Sequence, residues 1–250
     1  MNAQFPYQKF IIVGSARTGS TLLWSYLNSH PNILCLRGVF GSTNKINFGK
    51  FYPDLEDECI SPELIAFRNS NPIRFIEKYV FKMYSKPYKS VGFKYFYDHD
   101  RHLSSKAELL EYFAKHKDIK VIHIKRNNLL AALYSYKRAM AQDKWTTAQI
   151  DYKTEIGISE CEQYFQYINE MQELFDKKFR NRTFVIVYEE LVSNYSKILN
   201  DLQVFLGVEV KNLHTQMIKN ENKKLSESIY NYAELEIHFK NSEYANNIGS

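Results

Sequence analysis

The sequence lacks the features that mark three large classes of protein. No window of its 250 residues reaches the ~18 apolar residues of a membrane-spanning helix. The N-terminus has no charged segment followed by an apolar one, as a secretion signal would have. No run of five or more basic residues occurs, and the net charge of +5 is mild and spread out. We therefore expect a cytoplasmic protein that binds an anionic ligand and has neither a membrane nor a nucleic-acid partner.

Cysteine is scarce as well. The three cysteines, Cys35, Cys59 and Cys161, are odd in number, lie far apart and form no Cys-x-x-Cys pair. Reduced thiols in a cytoplasm are the simplest account of them. The chain is 44% hydrophobic and is not divided by a repeat or a low-complexity linker, so it is large enough to bury a full core. We expect one domain over residues 1–250.

The first chemical signature is a strand, a glycine loop and a helix in succession. Residues 10–13 form an apolar, β-branched run that is typical of a buried parallel strand. Small residues follow from Gly14 to Gly19, and from Ser20 apolar residues recur at helical spacing until Pro31. This arrangement directs backbone N–H groups and the positive end of a helix dipole to one point. It indicates a phosphate site; the alternative is an ordinary strand–helix turn without a ligand.

The loop lacks the lysine that binds the β- and γ-phosphates in nucleotide triphosphatases, and this absence bears on which phosphate compound it binds. The loop of nucleotide triphosphatases reads Gly-x-x-x-x-Gly-Lys-[Ser/Thr]. Gly14 and Gly19 have the right separation and Thr21 follows, but Ser20 occupies the position of the lysine. The cation that reaches the β- and γ-phosphates is therefore missing, and no second motif offers an obvious carboxylate for Mg²⁺. A P-loop kinase is the weaker interpretation.

The remainder of the chain alternates strand-like and helical segments. Apolar strand-like runs occur at residues 32–36, 90–97, 120–125 and 183–187. The alternation predicts an α/β fold with three layers and a central parallel sheet. Ligands of such sheets bind beyond the carboxyl ends of the strands, where the Gly14 loop, Arg126 and Tyr188 fall. Residues 37–60 are predicted to be a long surface loop which, with residues 141–158, shapes a second pocket.

A second motif follows the strand at residues 120–125. It reads Arg126-Asn127-Asn128-Leu129-Leu130, and Ser135 lies nine residues after Arg126. An arginine at the end of a strand and a hydroxyl on the next helix can converge on one phosphate, the arginine through a bidentate fork. The alternative is an arginine that binds carbonyl groups at a surface turn, with an incidental serine nearby.

Together the two motifs resemble a known enzyme family. Arg17-Thr18-Gly19-Ser20-Thr21 resembles the 5′-phosphosulfate loop of sulfotransferases that use 3′-phosphoadenosine 5′-phosphosulfate (PAPS). Arg126 and Ser135 resemble the 3′-phosphate site of that family. The spacing of nine, with Asn128 and Ala139, is similar to the bacterial carbohydrate and nodulation-factor branch. Three further segments extend the resemblance in the expected order: VGFKYFYDH, VIVYEELVSNYSKILNDLQVFLGV and KNENKKLSESIYNYAELEIHF.

The resemblance implies a fold, a reaction and a set of site residues. It implies a P-loop-like fold, PAPS as co-substrate without a metal, and transfer of a sulfuryl group to a hydroxyl of a small soluble acceptor, a natural-product alcohol or a carbohydrate. The loop and the second motif would bind the two phosphate ends of PAPS, and Lys219 would close over the nucleotide. The residues expected to bind PAPS are therefore Arg17, Thr18, Gly19, Ser20, Thr21, Arg126, Ser135 and Lys219.

The chain departs from its relatives at the presumed catalytic base. The bacterial branch usually has a glutamate there, in a Cys-x-Gly-Glu-x-Phe context, but this chain reads Cys35-Leu36-Arg37-Gly38-Val39-Phe40. Gly38 cannot accept a proton. A degenerate nucleotide-binding protein that has lost the base is therefore an open alternative.

Two residues of the segment GFKYFYDH are the candidates for catalysis. We predict that His99 acts as the base instead of the missing glutamate, since the animal enzymes also place a catalytic histidine after this strand. Lys94 would add a cation near the leaving phosphate. The weaker candidates for the base are His102, Asp54, Glu56, Asp57 and Glu58. His123 lies within a core strand and is expected to pack there.

Overall fold

The computed structural model describes residues 6–42, 44–49, 58–99, 103, 106–142, 151–217 and 224–248. Its centre is a sheet of five parallel strands. The strands of the chain are β1 (Gln8–Gly14), β2 (Ile33–Leu36), β3 (Ile46–Asn47), β4 (Glu58–Cys59), β5 (Ser90–Lys94), β6 (Ile119–Lys125) and β7 (Thr183–Val187). The order across the sheet is β2-β5-β1-β6-β7, and the short strands β3 and β4 form a separate antiparallel pair.

Helices fill the connections between the parallel strands, which need long crossovers from the end of one strand to the start of the next. The α-helices are α1 (Ser20–Ser29), α2 (Pro62–Ser70), α3 (Pro72–Phe75), α4 (Lys106–Lys115), α5 (Leu129–Gln142), α6 (Ile158–Lys178), α7 (Tyr188–Ser193), α8 (Tyr195–Leu206), α9 (Leu225–Ser228) and α10 (Tyr232–Phe239). A π-helical turn (Ile76–Val80) continues α3, and a 3₁₀ turn (Ala245–Asn247) follows α10. No described helix is long and apolar enough to cross a lipid bilayer.

The side chains of β1 show how the two faces of the sheet are covered. Phe10 and Ile12 belong to one buried cluster, which includes residues of α1 and α8. Ile11 and Val13 belong to the other cluster, which includes residues of α3, α5 and α6. Because successive strand residues point to opposite faces, a strand that is apolar at every position must be buried on both sides. The three-layer α/β prediction is confirmed.

Two predictions about local structure need correction. Strand β5 ends at Lys94 rather than at residue 97, although the N–H of Tyr97 still donates to the Gly14 carbonyl at 3.1 Å. The described part of residues 37–60 is not a surface loop, because Phe40, Ile46 and Phe48 are fully buried. The aromatic rings of this segment pack into the same cluster as the sheet, and Phe40 lies edge-on to Phe75 of α3.

Candidate anion-binding site and adjoining cavity

The loop between β1 and α1 has two positions that only glycine can occupy. A Cβ atom on Gly14 would lie 2.5 Å from the carbonyl oxygen of Ile124 on the neighbouring strand. Gly19 has a φ of 82°, in the left-handed region, and a Cβ atom there would lie 2.4 Å from the Tyr188 ring. Both glycines therefore let the backbone approach its neighbours closely, as a tight anion-binding loop requires.

The end of the loop leaves backbone donors available. The hydroxyl of Thr18 donates to the Ser15 carbonyl at 2.8 Å, which closes the loop internally. Helix α1 then begins at Ser20, and no described side chain caps its N-terminus. The N–H groups of a first helical turn have no partner within the helix. They point, with the positive end of the helix dipole, to the space in front of the loop.

The second predicted phosphate site lies directly against this loop. Arg126 follows β6, and its Nη1 donates to the carbonyl oxygen of Arg17 at 2.9 Å. The Nε of Arg17 in turn donates to the Oγ of Ser135 on α5, also at 2.9 Å. Because Ser135 accepts this bond, its own hydroxyl hydrogen remains available to an anion. The structure thus brings the two sequence motifs together into one surface.

Two residues at the start of α7 hold both motifs in place. The Tyr188 ring lies against Gly19 on one side, and the Arg126 guanidinium carbon is 4.6 Å from its centroid. The Glu189 carboxylate accepts the backbone N–H groups of Asn127 and Asn128, each at 3.1 Å. Glu189 was not predicted from the sequence, although Tyr188 and Glu189 directly follow a buried strand at the predicted edge of the sheet.

The electrostatics of this surface favour an anion. Burial lowers the pKa of Arg17, and the nearby charges of Arg138 and Arg126 lower it further. Burial also lowers the pKa of Arg126. Among the described residues, the Nε atoms of Arg126 and Arg138 have no hydrogen-bond acceptor. Crowded, partly desolvated guanidinium groups with unused donors fit a phosphate well. Arg138, about one helical turn after Ser135, was not predicted.

Lys94 approaches the loop from the end of β5. It is buried, and its Nζ lies 3.4 Å from the Oγ1 of Thr21. Burial lowers the pKa of Lys94 to about 8, with a smaller lowering from the Arg37 and Arg17 charges. An anion bound at the loop would stabilise the protonated form of this lysine. The structure therefore supplies a cation beside Thr21, and its role in catalysis stays a prediction.

His99 packs against the segment that follows β2. A Cβ atom on Gly38 would lie 2.6 Å from its Cε1, and one on Gly41 would lie 3.2 Å from its Nε2. The ring centroid of Phe96 is 4.5 Å from that of His99. The imidazole thus occupies the space into which a side chain at position 38 would extend. That His99 is the base stays a prediction.

Lys219, His102, Asp54, Glu56 and Asp57 lie outside the described residues.

His123 packs in the core, as predicted, and is completely buried. Its Nε2 lies 2.5 Å from the Tyr97 hydroxyl and its Nδ1 lies 2.8 Å from an Asp176 oxygen. The other oxygen of Asp176 accepts from Lys125 at 2.5 Å. Burial lowers the pKa of His123 to about 4, and the Lys125 charge acts in the same direction. The ring is therefore neutral, and it links β6 to α6.

A cavity of about 600 Å³ adjoins the start of the anion loop. Ser15 and Ala16 of the loop form one part of its wall, and Tyr97 and Asp98 form another. Helices α5 and α6 supply most of the remaining described lining, which includes five tyrosines: Tyr97, Tyr136, Tyr152, Tyr164 and Tyr167. Of the described residues within 141–158, Ala141 and Tyr152 line this cavity. No described residue of 37–60 lines this cavity, because that segment packs over the β2 side of the sheet.

Comparison with protein families identifies one match that spans most of the chain. The family model described as "Sulfotransferase family" matches residues 9–212. Nodulation protein H of Rhizobium tropici is 24% identical over 248 residues, which cover 95% of this chain and 92% of that protein. Nodulation protein H of Rhizobium meliloti strain 1021 is 26% identical over 255 residues, with coverage of 98% and 96%.

Two solved structures are also similar. The sulfotransferase from Alicyclobacillus acidocaldarius is 17% identical with a TM-score of 0.46, and the match covers 91% of this chain and 90% of that chain. The sulfotransferase domain from the olefin synthase of Synechococcus PCC 7002 is 16% identical with a TM-score of 0.45, with coverage of 94% and 85%.

Proposed function

The chain belongs to the sulfotransferase family, and on that premise we propose that it transfers the sulfuryl group of PAPS to a hydroxyl of a small soluble acceptor, a natural-product alcohol or a carbohydrate. The observation that supports PAPS as the donor is the contact between the two anion sites. Arg17 bonds to both Arg126 and Ser135, so one molecule with two phosphate ends can bind to both sites at once. A molecule with a single phosphate end would leave one site unused.

Each element of the site has a distinct task in this proposal. The N-terminus of α1, with Ser20 and Thr21, binds the 5′ end of the nucleotide, and Arg126 with Ser135 binds the 3′-phosphate. As the bond from sulfur to the bridging oxygen breaks, negative charge builds up on that oxygen. Positioned donors at such a charge typically contribute ~10²–10³-fold each to the rate. Lys94, 3.4 Å from Thr21, is the cation placed to share this charge.

The cavity between α5 and α6 is the acceptor site in this proposal. Ser15 and Ala16 of the anion loop line it, so an acceptor hydroxyl bound there would lie beside the loop. A volume of about 600 Å³ is in the range of drug-sized ligands rather than of the smallest alcohols. Tyrosine rings offer apolar faces together with hydroxyl groups, which suits a hydroxylated, amphipathic compound. The cysteines are free thiols, which accords with a reaction in the cytoplasm.

The competing functions are separated by two measurements. Calorimetry should show that adenosine 3′,5′-bisphosphate binds more tightly than ATP by more than about tenfold, because only the bisphosphate reaches Arg126 and Ser135 with a phosphate. Tight ATP binding without bisphosphate binding would instead indicate a P-loop kinase. Transfer of radiolabelled sulfate from PAPS to alcohols and sugars should then be detectable. Bisphosphate binding without transfer to any acceptor, water included, would indicate a degenerate nucleotide-binding protein.

A further inference from the structure

The two consecutive residues at the turn after β5 face different surroundings. His99 lies against Gly38, Gly41 and Phe96. Asp98 lines the acceptor cavity, together with Ser15 and Ala16 of the anion loop. The missing base of this chain therefore has a second candidate, one residue before the histidine that the sequence suggested.

The carboxylate of Asp98 is available for binding. It is half-buried, and in the part of the chain that the structure describes no donor or cation lies within hydrogen-bond or ion-pair distance of it. The described lining has two other charged groups, Lys137 and Glu160, and they bind each other at 2.7 and 2.9 Å. Asp98 is thus the carboxylate of the described lining that no lysine or arginine neutralises.

An acceptor bound in this cavity would lie beside Asp98 and close to the sulfuryl group of PAPS. Ser15 and Ala16, which line the cavity together with Asp98, belong to the loop that precedes the first turn of α1. A hydroxyl that faces the sulfuryl group from the cavity must lose its proton as it bonds to sulfur. An ionised carboxylate accepts such a proton and has no proton of its own to give.

We propose that Asp98 is the general base of the sulfuryl transfer. The acceptor oxygen forms a bond to sulfur while the bond from sulfur to the bridging phosphate oxygen breaks. The electron pair of the broken bond stays on that oxygen, and the hydroxyl proton of the acceptor passes to a carboxylate oxygen of Asp98. This inference rests on the proposed function and assigns its proton acceptor.

A comparison of acceptors tests this role directly. A base accelerates transfer only to acceptors that arrive protonated, so benzyl alcohol and water need it, whereas 4-nitrophenol at mildly alkaline pH arrives as its anion. Asp98→Asn should lower transfer from PAPS to benzyl alcohol, and hydrolysis of PAPS by water, by ~10²–10⁴-fold. Transfer to 4-nitrophenol should be unchanged or faster. Affinity for adenosine 3′,5′-bisphosphate should stay within about twofold.

Two further variants make the outcomes decisive. Asp201→Asn is the matched control, because Asp201 is on the surface of α8 and pairs only with Lys197 among the described residues; it should leave all three reactions unchanged. An equal loss with all acceptors in Asp98→Asn would mean a structural role and overturn the proposal. So would a selective loss with protonated acceptors in His99→Gln but not in Asp98→Asn. If wild-type protein transferred no sulfate, the proposed function itself would fail instead.

Discussion

The Nε of Arg17 donates a hydrogen bond of 2.9 Å to the Oγ of Ser135, although the two residues are 118 positions apart in the chain. Arg17 belongs to the first loop of the fold and Ser135 to α5, so the bond joins the two candidate anion sites. The two phosphate ends of one nucleotide would therefore bind to neighbouring groups of one surface.

Ser135→Ala should weaken binding of the 3′-phosphate alone. A hydrogen bond to a charged group contributes about 1.5–3 kcal/mol, so the affinity for adenosine 3′,5′-bisphosphate should fall by roughly 10–100-fold. The affinity for adenosine 5′-monophosphate, which has no 3′-phosphate, should be nearly unchanged. Calorimetry with both nucleotides measures the difference, with Ser193→Ala as the control on an exposed helix end. An equal loss for both nucleotides would contradict the assignment of Ser135 to the 3′ site.

Gly19→Ala should disrupt the loop. The residue has a φ of 82°, which costs an alanine about 1–2 kcal/mol, and the new methyl group would lie against the Tyr188 ring. We expect the affinity for adenosine 3′,5′-bisphosphate to fall by at least about tenfold, because Tyr188 also contacts Arg126. Gly157→Ala is the matched control, since nothing lies within 4 Å of a Cβ atom there. Unchanged binding in Gly19→Ala would exclude the loop from the nucleotide site.

Lys94 should make nucleotide binding depend on pH. Its pKa is lowered to about 8 in the free protein by burial and by neighbouring arginines, and a bound phosphate would raise it again. The lysine should therefore take up a proton on binding near pH 8, and affinity should fall as the pH rises through that value. Calorimetry in buffers of different ionisation enthalpy measures the uptake. Lys94→Met should abolish it, whereas Lys89→Met, at an exposed position, should not; uptake that persists in Lys94→Met would remove Lys94 from the phosphate site.

His123 should make the stability of the fold depend on pH. Its pKa is lowered from 6.5 to about 4 in the folded chain, so between these values the unfolded chain binds a proton that the folded chain does not. Stability should fall as the pH falls from about 6.5 to 4, by roughly 3 kcal/mol for a shift of this size. Denaturant unfolding at several pH values should show this loss in the wild type and in His238→Gln. If His123→Gln lost as much stability as the wild type between pH 6.5 and 4, the pH dependence could not be assigned to His123.

Local pattern was sufficient to predict the sheet and the glycine loop after β1. The continuous apolar run at Phe10–Val13 predicts a strand buried on both faces, and the structure shows one. The glycine spacing predicts the loop, and both Gly14 and Gly19 are in positions that a side chain would not fit. These features depend on neighbours in sequence, and periodicity and turn chemistry report such neighbours well.

Contacts between distant segments could not be predicted in the same way. Glu189 binds the backbone of Asn127 and Asn128 only because β6 and β7 are adjacent in the sheet. The segment 37–49 was predicted to be a surface loop because its aromatic residues recur with no regular period, yet Phe40 and Phe48 are buried. Asp98 lines the cavity beside α5, whereas His99 lies against the segment after β2. This difference depends on contacts between distant segments, so no local sequence pattern predicts it.

A crystal structure of the protein with adenosine 3′,5′-bisphosphate bound tests the central claim most directly. We predict the 5′-phosphate at the N-terminus of α1, near Thr21 and Lys94, and the 3′-phosphate in contact with Arg126 and Ser135. A nucleotide that placed only one phosphate on these groups, with the other in solvent or elsewhere on the chain, would contradict the account.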